Sequence, residues 1–269
     1  MVIPIPYQPH RFESAAAYYR RGRPPYAATL INRVVAICGL TAEHHLLDLG
    51  CGPGPLAIAF APVVGSVLAL DPEPRMLQAA TTAAAEAGVA AKIRFAEGSS
   101  YQLGPELGRF RVTTIGRAFH WMDRPDTLRR LDTMIEPDGA VVLFDDHHPA
   151  VPDNAWYVDF KTLIERYSDD DPIRQQRKAP SWQYHEAVLL RSPFERLERA
   201  AVIERRQTAV ADLIDRALSM SSTSPQRLGD RTTALVDALQ TLLAGVAVDG
   251  LLTEIVETSA LIARRPGAE

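Results

Sequence analysis

Features of secreted and membrane proteins are scarce in this sequence. Only two cysteines, Cys38 and Cys51, occur in 269 residues. This is too few for a disulfide framework and is typical of a reducing compartment. No apolar run approaches the roughly eighteen residues that a membrane-spanning helix needs. Residues 1–9 lack a basic region followed by an apolar stretch, so they do not predict a signal peptide. We therefore expect a cytoplasmic protein with no membrane partner.

A strong excess of charge is also missing. The formal net charge is -4, and 46% hydrophobic with 23% charged residues is ordinary for a globular protein. Since there is no basic stripe, the sequence argues against nucleic acid as a partner. The length allows one large α/β domain with an insertion, or two small domains.

The most informative stretch is a glycine-rich turn. The apolar run 46–49 predicts a short buried strand, and Gly50, Gly52 and Gly54 follow at every second position. Glycines let the backbone turn sharply and let a ligand approach closely. Pro55 stands where the first residue of a helix is expected, because its missing N–H costs nothing there.

A second apolar run, 67–71, ends in the carboxylate of Asp71. Strand, glycine turn, helix, strand and terminal acid form half of a nucleotide-binding unit, with Asp71 placed to accept hydrogen bonds from ribose hydroxyls. The spacing Gly50-x-Gly52-x-Gly54 departs from the dinucleotide fingerprint, and Pro55 removes a donor that a pyrophosphate would use. The pattern therefore favours a ligand without a pyrophosphate.

The residues 46–58 closely resemble motif I of the class I S-adenosylmethionine (SAM)-dependent methyltransferases. The segment 70–77 is similar to the one that follows their second strand, and the resemblance is specific over about 46–125. It implies SAM as the cofactor. The run Tyr19-x-x-x-Arg23-Pro-x-Tyr26 further resembles the lead-in of the trans-aconitate-type branch of small-molecule methyltransferases. In that branch the lead-in lies over the cofactor as a lid, which implies that Arg23 binds the methionine carboxylate.

By the same resemblance Ser99 and Ser100 contact the adenine ring, although two serines after a glycine also predict a simple turn. The predicted cofactor site consists of motif residues and residues at neighbouring strand ends: Arg23, Asp48, Gly50, Cys51, Gly52, Gly54, Asp71, Pro72, Met76, Ser99, Ser100, Arg117, Ala118 and His120.

Two strand ends carry candidate catalytic histidines. His120 follows the predicted strand 111–116, and ligands of open α/β sheets bind beyond the carboxyl ends of strands. It is a candidate general base with an ordinary pKa of about 6.5. A role in orienting the methionine moiety, or simple packing beside Trp121, is the alternative. The segment 145–148 contains residue types that bind divalent metals, but consecutive side chains cannot all face one ion, so we predict no metal site. His147 is instead a candidate for facing the substrate.

The remaining pattern completes a fold prediction. The sequence predicts a helix over 125–135, a turn at 136–139 and a central strand at 140–144. It also predicts an antiparallel pair formed by 196–202 and 250–264. We expect an α/β fold with a Rossmann-like, doubly wound, seven-stranded and mostly parallel sheet, an antiparallel C-terminal strand and a helical substrate cap. The predicted divisions are an N-terminal lid at 1–40, a SAM-binding core at 41–149, a cap at 150–192 and the rest of the core with a helical insertion at 193–269.

Together these features predict a SAM-dependent methyltransferase, monomeric or homodimeric, that acts on an O, N or C nucleophile of a small molecule. A SAM-binding protein without methyl transfer fits motif I equally well. A nicotinamide-dependent oxidoreductase shares the half-fold but conflicts with the glycine spacing.

Overall fold

A computed structural model describes residues 11–267. The sequence-based statement about residues 1–9 lies outside the described residues. The sheet is built from seven strands: β1 (His45–Leu49), β2 (Ser66–Asp71), β3 (Ile93–Glu97), β4 (Phe110–Gly116), β5 (Ile135–His147), β6 (Arg196–Ala209) and β7 (Leu251–Arg264). Their order is β3-β2-β1-β4-β5-β7-β6.

Strands β1 to β5 pair in parallel, whereas β7 is antiparallel to both β5 and β6. This confirms the predicted fold class. The strand order reverses direction between β1 and β4, and at such a point the carboxyl ends of two strands leave a crevice for a ligand.

The helices are α1 (Ala16–Gly22), α2 (Ala28–Cys38), α3 (Pro55–Phe60), α4 (Pro74–Glu86), α5 (Arg124–Asp132), α6 (Ala155–Tyr167), α7 (Pro172–Lys178), α8 (His185–Leu189), α9 (Val210–Leu218), α10 (Pro225–Leu228) and α11 (Arg231–Ala244). Helix α2 buries Leu30, Val34 and Cys38, which recur every fourth residue on one face, and Gly39 ends it with a φ of 59°. None of the helices within 11–267 combines the length and apolarity needed to cross a membrane.

Both faces of the sheet are covered, so consecutive strand residues enter different cores. Leu46 packs in the cluster that contains Val34 of α2, and Leu47 packs in the opposite cluster with Leu131 of α5. Strands buried on both faces read as continuous apolar runs, which is why the sequence reveals them.

A third apolar core joins the cap to the C-terminal helices. Trp156 and Phe160 of α6 pack with Leu213 of α9 and Leu235 of α11. The predicted cap and the helical insertion after it therefore share one core, and most cap aromatics serve that core.

Two boundary predictions were wrong. Helix α5 ends at Asp132, and Ile135 belongs to β5 instead of the helix. Ile135 is buried and pairs with Phe110, and a register shift in the β4–β5 pairing accommodates the predicted turn at 136–139 inside the strand. The sixth strand also runs on to Ala209, because it pairs with β7 along its whole length.

Candidate functional site

The three glycines of the turn have positive φ values but different surroundings. Gly50, Gly52 and Gly54 have φ of 68°, 53° and 77°. A Cβ on Gly50 would lie 2.8 Å from the Cβ of Ala118, and one on Gly54 would lie 3.2 Å from Phe95. A Cβ on Gly52 would meet nothing within 4 Å, because Gly52 faces a cavity. Gly50 and Gly54 thus allow close packing, and Gly52 leaves room for a ligand.

Asp48 is buried beneath this turn. Its Oδ2 accepts a hydrogen bond from the N–H of Ala57 at 3.0 Å, and its Oδ1 accepts one from Thr114 Oγ1 at 2.8 Å. Burial raises the pKa of Asp48 to about 7. Its side chain joins β1 to α3 and β4 and does not line the cavity.

Asp71 ends β2 at the edge of the cavity. Its two carboxyl oxygens accept hydrogen bonds from the N–H groups of Gly52, at 2.8 Å, and Glu73, at 2.9 Å. Burial raises the pKa of Asp71 to about 6. A carboxylate has about four acceptor positions, so two remain for a ligand. With two open acceptor positions, the Asp71 carboxylate can accept hydrogen bonds from two neighbouring hydroxyl groups.

The cavity at the carboxyl edge of the sheet has a volume of about 410 Å³. Most of the predicted site residues line it: Arg23, Gly50, Gly52, Asp71, Pro72, Met76, Ser99, Ser100, Arg117, Ala118 and His120. Four do not, namely Asp48, Cys51, Gly54 and His147. Cys51 is buried within the turn, and His147 is exposed at the end of β5 with its Nδ1 3.9 Å from Glu257 Oε2.

His120 is half-buried in the 3₁₀ turn Phe119–Trp121 at the cavity wall. Its ring lies 4.8 Å from the Trp121 ring and stacks at 6.4 Å on His185 from α8. Burial, together with the cations Arg177 and Arg124 and the neighbouring His185, lowers the pKa of His120 well below its ordinary value. The imidazole is therefore neutral near pH 7 and available as an acceptor, which differs from the unperturbed histidine expected from the sequence.

Two arginines and an acid lie at the other end of the cavity. Arg117, which has an unusual φ of 55°, donates from Nη1 to Asp146 Oδ1 at 2.8 Å. Arg23 donates to the carbonyl of Ser219 at 3.4 Å and lies over the Tyr19 ring at 5.3 Å. Within residues 11–267, the Nε atoms of both arginines are buried without a hydrogen-bond partner. Burial opposes ionisation of Asp146, but Arg117 and Arg23 hold its pKa below the ordinary value.

The N-terminal segment covers the cavity. The Phe12 ring packs edge-on against Trp121 at 5.3 Å between centroids, and Arg75 of α4 pairs with Glu13 at 3.0 Å. Arg11 forms an ion pair with Asp171 before α7. Phe12 and Arg11 also line the cavity. The segment therefore spans from α4 to the start of α7 across the cavity, as a lid would.

Sequence reasoning missed several lining residues. Asp146 is the next-to-last residue of β5, at the carboxyl end of a strand, so its position in the sheet was a usable signal. Tyr157 and His185 come from α6 and α8 and reach the cavity only through the packing of the cap. Nothing in their local sequence distinguishes them from other helical aromatics. In the part of the chain that the structure describes, no three His, Cys, Asp or Glu side chains are arranged to hold a metal ion.

Comparison with known proteins identifies the chemistry of this site. Residues 46–139, which contain the glycine turn and Asp71, match the family model described as a methyltransferase domain. The chain is 26% identical over 235 residues to an uncharacterized methyltransferase, Mb3374, of Mycobacterium bovis, covering 87% of this chain and 85% of that one. This chain contains a methyltransferase domain, as the resemblance to the class I SAM-dependent methyltransferases predicts.

A second relative and a solved structure are similar in sequence and in fold, respectively. The methyltransferase is 29% identical over 143 residues to the uncharacterized methyltransferase YcgJ of Bacillus subtilis, and the alignment spans 53% of this chain and 54% of that relative. A SAM-dependent methyltransferase from Thiobacillus denitrificans, solved with S-adenosyl-L-homocysteine (SAH), has a similar fold with a TM-score of 0.53. It is 17% identical, and the match covers 97% of this chain and 100% of that one. The narrower resemblance to the trans-aconitate-type branch stays a prediction.

Proposed function

We propose that this methyltransferase transfers the methyl group of SAM to an O, N or C nucleophile of a small-molecule acceptor held in the same cavity as the cofactor. One observation carries the proposal. A single cavity of about 410 Å³ runs from the glycine turn to the lid and cap residues. This volume is within the range of about 300–1,000 Å³ that small-molecule sites occupy. The acidic net charge of -4 and the covering lid both argue against a nucleic acid acceptor.

The residues fit SAM in three respects. Gly52 leaves open the space that a Cβ would fill, Asp71 has free acceptor positions for the ribose hydroxyls, and the Nε of Arg23 is buried without a partner within residues 11–267. Arg23 would bind the methionine carboxylate, since a guanidinium binds a carboxylate through two hydrogen bonds. Ser99 and Ser100 line the same cavity and would lie near the adenine.

When bound, SAM supplies an electrophilic methyl group on a positively charged sulfur. The protein then needs to hold the nucleophile in line with the methyl and to exclude water, which the lid residues Arg11 and Phe12 would do. His120 is neutral because its pKa is lowered, so a ring nitrogen would accept a hydrogen bond from an acceptor hydroxyl. The hydroxyl becomes strongly acidic as the methyl bonds to its oxygen, so even this weakly basic nitrogen would then take its proton. The indole of Trp121 forms part of the wall and would favour a nearby cation. From the cysteine usage and the composition we also propose that the protein is cytoplasmic.

Calorimetric titration of the purified protein with SAM, SAH and NAD tests the cofactor roles. Binding of SAM and SAH without any response to NAD is the expected result. Acceptors are then screened in small-molecule libraries by measuring SAH release. Binding of NAD but not of SAM or SAH would contradict the proposal. SAH release that occurs with nucleic acid as the acceptor, but with no small molecule, would contradict it as well.

A further inference from the structure

A buried ion pair lies behind the lid, outside the cavity. Glu254 of β7 and Arg216 of α9 have side chains that are 1% and 5% exposed. Arg216 Nη1 donates to Glu254 Oε1, and Nη2 donates to Oε2 at 3.2 Å. Thr208 Oγ1 donates to Oε2 at 2.7 Å, and His148 Nε2 lies 2.5 Å from Oε1. The carboxylate is thus surrounded by four polar contacts, and the hydrogen bonds from His148 and Arg216 lower the pKa of Glu254 despite its burial.

The third nitrogen of the Arg216 guanidinium contacts the backbone next to a residue that lines the cavity. Its Nε donates to the carbonyl oxygen of Gly22 at 2.9 Å, and Gly22 directly precedes Arg23. The helices α1 and α9 touch at this point, because a Cβ on Gly22 would lie 2.4 Å from the backbone nitrogen of Arg216. One turn further along α9, the carbonyl of Ser219 accepts the hydrogen bond from Arg23. The end of α9 therefore holds both the backbone before Arg23 and its guanidinium.

The same carboxylate is also linked to a residue of the cavity wall through His148. The His148 ring stacks on the ring of Tyr157 with 3.7 Å between centroids and an interplanar angle of 18°. Tyr157 lines the cavity. Glu254 is thus connected, through one side chain in each direction, to a lid residue and to a cap residue.

We propose that Glu254 and Arg216 are positioning residues for methyl transfer, which fix Arg23 against the methionine end of the cofactor through the Gly22 carbonyl. This inference rests on the proposed role of Arg23. A buried ion pair gives little net stability compared with apolar packing, but its fixed geometry can specify one arrangement of the elements it joins. Arginine is required here, because its planar fork contacts Glu254 twice and still reaches Gly22, which a lysine ammonium cannot do.

The test measures the affinity for SAH by calorimetry in the full chain. Arg216→Lys keeps the buried charge paired, so we expect it to fold, and to bind SAH about three- to tenfold more weakly because Gly22 loses its donor. Glu254→Gln should weaken SAH binding similarly but with a larger loss of stability, because it leaves Arg216 unpaired. Glu257→Gln on the same strand is the matched control, and it should bind SAH like wild type. Urea unfolding reports whether each variant is folded.

A double-mutant cycle separates positioning from general loosening. If Arg216 acts through Arg23, then adding Arg216→Lys to Arg23→Ala should cost almost no further affinity. The inference would be overturned if the double variant lost SAH affinity by the product of the two single losses. It would also be overturned if a folded Arg216→Lys variant bound SAH within about twofold of wild type. Arg23→Ala with unchanged SAH affinity would overturn it as well. A wild-type protein that does not bind SAH would instead contradict the cofactor assignment itself.

Discussion

The two sides of the cavity are built in different ways. The floor, formed by the glycine turn and Asp71, is made of backbone and one short side chain, and hydrogen bonds of 2.8 and 2.9 Å hold the carboxylate. The roof consists of long side chains from separate segments, among them Arg23 before α2 and Tyr157 of α6. A backbone-built floor suits an invariant ligand, whereas exchangeable side chains in the roof suit an acceptor that differs between enzymes.

Charge is also distributed unequally between the two sides. The floor carries the carboxylates of Asp71 and Glu73 among backbone N–H groups, while the roof contains Arg23, Arg117 paired with Asp146, and the neutral His120. Substitutions in the floor should therefore act by changing the shape of the cavity, and substitutions in the roof by changing the chemical groups that face it. Substitutions of Gly52 or Asp71 in the floor and of His120 in the roof can therefore separate cofactor binding from turnover.

The largest effect is expected at the roof. His120→Ala should slow turnover by about a hundredfold or more, the usual contribution of a general base, and should leave SAH affinity unchanged. His147→Ala is the control, because His147 is exposed and outside the cavity, and it should match wild type. Rates with an acceptor found by screening and SAH titrations provide both readouts. A drop in SAH affinity for His120→Ala would reassign His120 to the cofactor site.

At the floor, Gly52→Ala should weaken SAM binding by about 2 kcal/mol, because the new Cβ occupies ligand space. Gly88→Ala is a matched control, since Gly88 also has a positive φ, of 70°, and also has nothing within 4 Å of an added Cβ. Both variants should lose about 1 kcal/mol of unfolding free energy from the left-handed backbone. Equal SAM affinities of the two variants in calorimetry would show that Gly52 does not face the cofactor.

Asp71→Ala should reduce SAM affinity by about tenfold or more, because charge-assisted hydrogen bonds to the ribose are lost. Asp237→Ala, at an exposed position of α11, is the control. Since burial raises the pKa of Asp71 to about 6, SAM affinity should also fall as the pH drops below that value and the carboxylate is protonated. Calorimetry on both variants from neutral to mildly acidic pH tests this, and an unchanged affinity would remove Asp71 from the ribose site.

Asp48 should affect stability rather than binding. Its pKa is raised to about 7 by burial, so the native state holds a proton that the unfolded chain releases at lower pH. The free energy of unfolding should therefore decrease as the pH rises from about 4 to about 7, and Asp48→Asn should reduce that slope. Urea unfolding across this range measures the difference. A slope identical to that of wild type would mean that Asp48 is ionised throughout.

The floor of the cavity follows from the local sequence. The apolar runs, the glycines at every second position and the acid at the end of β2 are close in the chain, and local backbone geometry fixes how they meet. For this reason the parallel strands and the contacts of Gly52 and Asp71 with the cavity could be predicted. The same reasoning also selected Asp48 and Gly54, which do not line the cavity, because a motif does not reveal which way each residue faces.

The roof of the cavity depends on packing between segments that are distant in the chain. Tyr157 reaches the cavity from α6, whose position depends on the core shared by the cap and the C-terminal helices. His185 reaches it from α8, whose residues Val188 and Leu189 pack in the core on one face of the sheet. The pairing of Glu254 with Arg216 likewise joins residues 38 positions apart. It forms because the β6–β7 pair carries α9 against the lid. Packing between distant segments leaves no periodic or spacing signal in the sequence, so these contacts become visible only when the chain is folded.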